Sequence, residues 1–253
     1  MADDAPRRTA IVTGAGSGIG RATALRLAGR GCAVACLDVR EAAAGETAVA
    51  IRDAGGEAWA VPADVAVEAD VEAAVRSVLG DDRGDRRLDA LVNAAGILVH
   101  GRLADTDVDE LERALRVNLV GTFAMCRAAA PALAAARGAI VNVASAAGLS
   151  GRPYLSAYSA SKGGVVALSR ALAVELAPDV RVNVVCPGAV ATPMVETMRV
   201  PDDADPRVLA RQASLIGRSA TPEEVAAAID HLASPEAGST TGAVLRIDGG
   251  AGA

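Results

Sequence analysis

The stretch Thr9-Ala-Ile-Val-Thr-Gly-Ala-Gly-Ser-Gly-Ile-Gly20 decides the fold. Its first five residues are apolar or β-branched and read as a short buried strand. Gly14, Gly18 and Gly20 then permit a tight turn and a close backbone approach. From Arg21 to Arg30, Ala24, Leu25, Leu27 and Ala28 recur at helical spacing, and Gly31 stops the helix. Strand, glycine turn and helix in that order form an anion-binding corner, because the helix N-terminus offers free N–H groups to a pyrophosphate. The spacing Gly-x-x-x-Gly-x-Gly is not the standard dinucleotide fingerprint, and no Gly-Lys pair follows, which excludes a Walker loop.

The next elements extend this reading. A second strand, Ala33 to Leu37, closes at Asp38, 18 residues after Gly20. An acid there accepts hydrogen bonds from both ribose hydroxyls and repels a 2′-phosphate. Arg21 and Arg40 could offset that repulsion. However, Val39 directly follows the acid, and Ser17 stands in the turn where a cation could read a phosphate. The expected cofactor is NAD rather than NADP.

Strand and helix alternate along the rest of the chain. Helices are expected at 41–54, 68–79, 157–177 and 222–233, and over a long stretch at 108–136 that Pro131 should bend. Strands are expected at 57–61, 88–92, 139–144, 180–186 and 243–247, which makes seven in all. A charged loop covers 80–87. This pattern implies an α/β fold: one Rossmann-type, doubly wound parallel sheet with helices on both faces. With no linker and no repeat, residues 1–253 read as one domain. The segment 194–219 has no strand, two prolines and four acidic residues. Long irregular segments in compact domains are often lids, and this one is expected to be a lid.

Composition narrows the function. The chain has 253 residues, half of them apolar but only 2% aromatic, so the core is built from Ala, Val, Leu and Ile. A formal charge of −6 argues against a nucleic-acid surface. No apolar run approaches the roughly 18–20 residues of a membrane span, and the N-terminus, Met1 to Arg8, is polar, so a cytoplasmic protein is expected. Cys32 and Cys36 are not a Cys-x-x-Cys pair, Cys126 and Cys186 stand alone, and only His100 and His231 are present, so no metal site is expected.

The chemistry is concentrated between Ser145 and Lys162. If the segment from Ala157 is helical, Tyr158 and Lys162 lie one turn apart on one face. A free tyrosine has a pKa of about 10, and a neighbouring ammonium is expected to lower it, making Tyr158 a general acid/base tuned by Lys162. Lys162 is the only lysine among 25 basic residues. Arginine, planar and never deprotonated, cannot replace a compact ammonium of adjustable pKa.

These motifs, taken in order, resemble the short-chain dehydrogenase/reductase family over Thr9 to Gly250. They are Thr13-Gly-Ala-Gly-Ser-Gly-Ile-Gly20, Asp64-Val65, Asn93-Ala-Ala-Gly96, Asn118, Ser145, Tyr158-Ser-Ala-Ser-Lys162, Pro187-Gly188, Thr192 and Asp248-Gly249-Gly250. Ala94 departs from the second asparagine the family often has. The resemblance implies that Gly14, Ser17, Gly18, Ile19 and Gly20 line the pyrophosphate and that Asp38 selects NAD. It places Asp64 and Val65 at the adenine, and Asn93 and Gly96 beside its ribose. Tyr158 and Lys162 would hold the nicotinamide ribose, while Pro187, Gly188, Val190 and Thr192 would surround the carboxamide. Asn118, Ser145, Tyr158 and Lys162 would form a catalytic tetrad interconverting a secondary alcohol and a ketone, the partner being a small, apolar substrate. The resemblance also implies a homotetramer paired through the helices at 108–136 and 157–177. Two alternatives stand beside it: an NADP-linked 3-oxoacyl-thioester reductase, and a non-catalytic dinucleotide sensor. His100 and Tyr154 are candidate substrate contacts or plain loop and packing residues. Arg102 and Arg152 could read an anionic substrate or be surface charge.

Overall fold

The computed structural model describes residues 8–80, 87–196, 198, 201, 203–210 and 213–252. The polar residues 1–7, most of the charged loop at 80–87, and parts of the 194–219 segment lie outside the described residues. In chain order the first half runs β1 (Thr9–Thr13), α1 (Gly18–Gly29), β2 (Ala33–Asp38), α2 (Glu41–Asp53), β3 (Glu57–Pro62), α3 (Glu68–Leu79) and β4 (Ala90–Asn93). The second half runs α4 (Val108–Leu115), α5 (Gly121–Ala136), β5 (Ala139–Val143), α6 (Ser156–Glu175), β6 (Arg181–Pro187), α7 (Pro193–Glu196), α8 (Pro206–Ala210), α9 (Pro222–Ala233) and β7 (Val244–Ile247).

The seven strands form one sheet in the order β3-β2-β1-β4-β5-β6-β7, and every pairing is parallel. This is the expected Rossmann-type architecture. The order reverses direction between β1 and β4. Crossovers leave that point towards opposite faces, which opens a crevice at the carboxyl ends of the strands. Strand alternation sorts the core. Ala10, Val12, Val34, Cys36 and Val92 face α1, α2 and α9 through Leu27, Ile51, Val225 and Ile229. Ile11, Leu37, Leu91 and Ile140 face α3, α5 and α6 through Val75, Val78, Met125, Leu133 and Leu172. Each fully buried aliphatic side chain contributes roughly 1.5–3 kcal/mol.

The long helical stretch runs on through Pro131, which lies inside α5. One wide π turn, Arg116–Val120, stands between α4 and α5, and Asn118 sits in it. The wide turn shifts the hydrogen-bond register, a feature often found at functional sites. One expectation is corrected: the helical run Val108–Ala136 spans 29 residues and is long and apolar enough to cross a bilayer by length and composition alone, contrary to the expectation that no such run exists. Met125, Cys126, Ala129 and Leu133 nonetheless bury one side of it against the sheet.

Candidate active site

The glycine corner is tighter than the sequence suggests, because α1 begins at Gly18, not at Arg21. Gly18, Ile19 and Gly20 are therefore the first helical turn, whose N–H groups have no intrahelical partner. A Cβ on Gly20 would sit 2.1 Å from the Gly14 carbonyl oxygen, and one on Gly14 would meet the Ala95 backbone at 2.9 Å. Only glycine lets the corner close against the segment leaving β4. The Thr13 hydroxyl fixes that segment from below, accepting from the Ala94 N–H (3.1 Å) and the Ala95 N–H (3.0 Å).

Asp38 ends β2 and is buried. Its Oδ2 accepts from the Gly16 N–H at 3.0 Å, and its Oδ1 accepts from the Arg40 N–H at 2.9 Å. The Arg40 guanidinium approaches the same carboxylate at 3.5 Å and donates to the Ser17 hydroxyl at 3.2 Å. The acid is thus held at the rim of a cavity of about 470 Å³ along the carboxyl ends of the strands. Gly14, Ser17, Gly18, Ile19, Gly20, Asp38, Asp64, Val65, Gly96 and Thr192 all line it.

A second cavity of about 220 Å³ shares walls with the first at Ile19, Ala94, Gly96, Thr192 and Met194. Ser145, Tyr158, Lys162, Pro187, Gly188 and Val190 face it. Ser145 follows β5, and its hydroxyl accepts from the Ala147 N–H at 3.1 Å. Tyr158 and Lys162 project from the first turns of α6. Lys162 is buried and its Nζ donates to the Val143 carbonyl at 2.8 Å, 5.9 Å from the centre of the Tyr158 ring.

The electrostatics reverse one expectation. Burial pushes the Tyr158 phenol up to about 12, and only the neighbouring Ser145 hydroxyl works against that. Burial also pushes Lys162 down to about 8. Desolvation is the largest cause of the shift in both groups, penalising the phenolate and the ammonium alike.

Two predicted site residues line neither cavity. The Asn93 side chain points into the interior, donating to Asn142 Oδ1 at 2.9 Å and to Cys126 Sγ at 3.3 Å. Asn142 in turn donates to the Ser169 hydroxyl on α6 at 2.9 Å. Asn93 therefore ties β4, β5 and α6 together through its side chain. The Asn118 side chain clamps the loop after β4: its Oδ1 accepts from the Ile97 N–H (2.8 Å), and its Nδ2 donates to the Ile97 carbonyl (3.0 Å) and the Ser161 hydroxyl (2.9 Å).

Sequence reasoning gave no role to Ser161 or Gly148. Ser161 joins Asn118 to the Tyr158 carbonyl, to which it donates at 2.7 Å. A Cβ on Gly148 would meet the Lys162 backbone at 2.6 Å, so glycine sets how closely the Ser145 turn packs on α6. The signal for both was proximity to Ser145 and Lys162. Tyr154 adopts a left-handed φ of 62°, rare for a bulky residue, with the His100 ring 6.1 Å away and the Arg102 guanidinium over its face at 5.9 Å. Neither His100 nor Tyr154 lines the two cavities, whereas Arg152 lines the second. Arg102 pairs with Asp203 in the 194–219 segment. The ends of that segment are pinned by paired backbone bonds around Val190 and Ala220. The four cysteines are buried and unpaired, and no metal-binding cluster occurs among the described residues.

Fold and cavity walls together define an α/β protein of dinucleotide-binding architecture, with Ser145, Tyr158 and Lys162 on a second cavity beside the groove. Residues 14–252 match the family model described as enoyl-(acyl carrier protein) reductase. The chain is 44% identical to cis-4-hydroxycyclohexanecarboxylate dehydrogenase of Sinomonas cyclohexanicum, over 99% of this chain and 98% of the relative. It is 43% identical to inactive 2-(S)-hydroxypropyl-CoM dehydrogenase 2 of Xanthobacter autotrophicus, over 87% and 95% of the two chains. The solved structure of 3-ketoacyl-(acyl-carrier-protein) reductase from Brucella melitensis, complexed with NADH, superposes with a TM-score of 0.87 at 36% identity, over 98% of this chain and 99% of that one. The chain belongs to the short-chain dehydrogenase/reductase family of oxidoreductases, which bind a nicotinamide dinucleotide. The residues present fit such a group: the glycine cradle has no room for a Cβ, and the Asp38 carboxylate lines the groove at the end of β2.

Proposed function

We propose that this protein interconverts a secondary alcohol and a ketone with NAD as the hydride carrier. The observation that carries this reading is the meeting of Ser145, Tyr158 and Lys162 on one small cavity that shares a wall with the groove holding Asp38. A nicotinamide dinucleotide held in that groove by the glycine corner and Asp38 would supply the hydride acceptor and donor. Tyr158 takes the hydroxyl proton in oxidation and supplies it in reduction. Ser145 donates a hydrogen bond to the reacting oxygen and stabilises the charge developing on it. Lys162 holds the ribose side of the groove next to Tyr158. Asn118, through Ile97 and Ser161, keeps the loop after β4 and the first turn of α6 in register. A proton path to solvent beside Lys162 completes the set. Asp38 accepts from the ribose hydroxyls and disfavours a 2′-phosphate.

Residues 1–253 act as a single domain in this reading. The 194–219 segment is its lid, with Met194, Val195 and Met198 on the cavity wall. Phe123, the only phenylalanine, is 45% exposed beside Val120 on the helical run expected to pair subunits, which supports a homotetramer.

Two observations favour other readings. The ketoacyl reductase with NADH supports a 3-oxoacyl-thioester substrate, and the relative named inactive supports a dinucleotide sensor. The complete Ser145, Tyr158 and Lys162 set argues for turnover over sensing. The test is a panel of secondary alcohols and ketones with NAD(H) and NADP(H), followed at the absorbance of the reduced nicotinamide. Turnover with NAD(H) is expected. Turnover only with NADP(H) would overturn the cofactor assignment, and dinucleotide binding without turnover across the panel would overturn the enzymatic one.

A further inference from the structure

The smaller cavity carries a charge that the proposed reaction does not use. Among its described lining residues only Lys162 and Arg152 are charged. Lys162 is committed to the Val143 carbonyl and the reacting centre. Arg152 lies in the loop between the Ser145 turn and α6, half-buried, and among the described residues it has no hydrogen-bond or ion-pair partner. Its neighbour in sequence reasoning, Arg102, is different: it pairs with Asp203 and stands away from the cavity. The cavity that Arg152 lines is otherwise walled largely by apolar residues, including Leu98, Leu155, Val195 and Met198.

A guanidinium is never deprotonated, and it presents a rigid fork of N–H donors matched to an oxyanion. Holding it unpaired against apolar walls is unfavourable unless a counter-charge arrives. None of the described residues supplies one there, which leaves it to the ligand. We propose that the substrate of this site bears a carboxylate, or another singly charged oxyanion, at the end remote from the reacting carbon, and that Arg152 binds it. The inference rests on the alcohol–ketone reading and adds the substrate class to it. The substrate is then held at two points, its oxygen by Ser145 and Tyr158 and its anion by Arg152, with the carbon skeleton against the apolar walls between them. Two-point attachment also fixes which face of the carbonyl meets the hydride carrier. In a protein of net charge −6, a local cation offsets the general repulsion of an anionic substrate.

The experiment uses matched ketone pairs: 4-oxopentanoate and 4-oxocyclohexanecarboxylate, each against its methyl ester, with NADH, in the wild type, Arg152→Leu and Arg152→Lys. The expected result is a kcat/KM at least about tenfold higher for the acids in the wild type, the size of one charge-assisted contact. That ratio should collapse towards one in Arg152→Leu and survive in part in Arg152→Lys. Equal use of acid and ester by the wild type, or a ratio unchanged in Arg152→Leu, overturns the proposal while leaving the alcohol–ketone reading intact. If no ketone is turned over, that reading fails, and the anion site is judged by titrating cyclohexanecarboxylate into the protein–NADH complex by calorimetry. Binding at least tenfold weaker in Arg152→Leu supports the site, and equal or absent binding overturns it. Thermal melting of both variants verifies that they are folded.

Discussion

Replacing Lys162 with Met should make the protein more stable at neutral pH while abolishing turnover. Lys162 is only 5% exposed, and its pKa falls from 10.5 to about 8 because burial penalises the ammonium. A fall of about 2.5 units at about 1.36 kcal/mol each means that the folded state carries a penalty of about 3 kcal/mol for keeping this group charged. The sign follows from linkage. Between the folded value near 8 and the unfolded value near 10.5, the unfolded chain binds the proton that the folded chain has released, so stability rises with pH across that window. Below about pH 8 the penalty is present in full. Met has similar length and no charge, but it leaves the Val143 carbonyl without the Nζ donor at 2.8 Å, a loss of about 1–2 kcal/mol. The net gain at pH 7 is then about 1–2 kcal/mol. For a chain of this size that raises the melting temperature by roughly 3–6 °C. The assay is thermal melting of Lys162→Met against wild type, without dinucleotide, from pH 7 to pH 10.5. The variant should melt higher at pH 7, and the curves should converge or cross as the wild-type lysine loses its proton. A variant that melts below wild type at pH 7, or a difference that does not change with pH, refutes the reasoning.

Three further outcomes are expected. Tyr158→Phe should lower kcat by about 10²–10⁴ and leave NADH binding, read by nucleotide fluorescence, within a few-fold of wild type, whereas near-wild-type turnover would remove Tyr158 from the proton transfer. Asp38→Ala should weaken NAD and shift relative preference towards NADP in kcat/KM. It should also lower the melting temperature, since the Gly16 and Arg40 N–H groups lose their acceptor, and an unchanged preference would sink the selectivity argument. Phe123→Arg should reduce the assembled mass measured by light scattering, because a charge on a buried subunit contact is strongly disfavoured, and an unaltered mass would place the interface elsewhere.

The fold was legible because its determinants are local. Seven apolar runs bounded by glycine, proline or acidic residues gave seven strands, and alternation with helices made the sheet parallel. Boundaries slipped where a residue serves two elements. Gly18 to Gly20 read as turn because glycine is a poor helix former, yet they are the first turn of α1, where close packing on Gly14 outweighs propensity. The π turn at Arg116–Val120 was invisible for the opposite reason. Its residues continue the apolar helical pattern, and the partners of its Asn118 side chain, Ile97 and Ser161, lie outside it. Pro131 drew attention by its type alone, although α5 runs on through it.

The site was legible as a set of positions and not as a set of directions. A motif fixes which residue stands at the end of β4, but the sheet decides that the Asn93 side chain turns inward to Asn142. The one-turn spacing of Tyr158 and Lys162 was read correctly, while the net direction of the Tyr158 shift was not, because spacing carries no information about burial. Both groups are desolvated, and desolvation moves a phenol up and an ammonium down, bringing each towards its neutral form. Lys162 is therefore held in a state that costs stability at neutral pH and is relieved by whatever places charge or hydrogen-bonding partners beside it. A cation brought over the groove would favour the phenolate, and ribose hydroxyls within reach of Lys162 would satisfy the ammonium. The same argument separates Arg152 from the other arginines. Counting found 24 of them and could not rank them; only the cavity wall distinguishes a guanidinium whose partner must come from outside the protein.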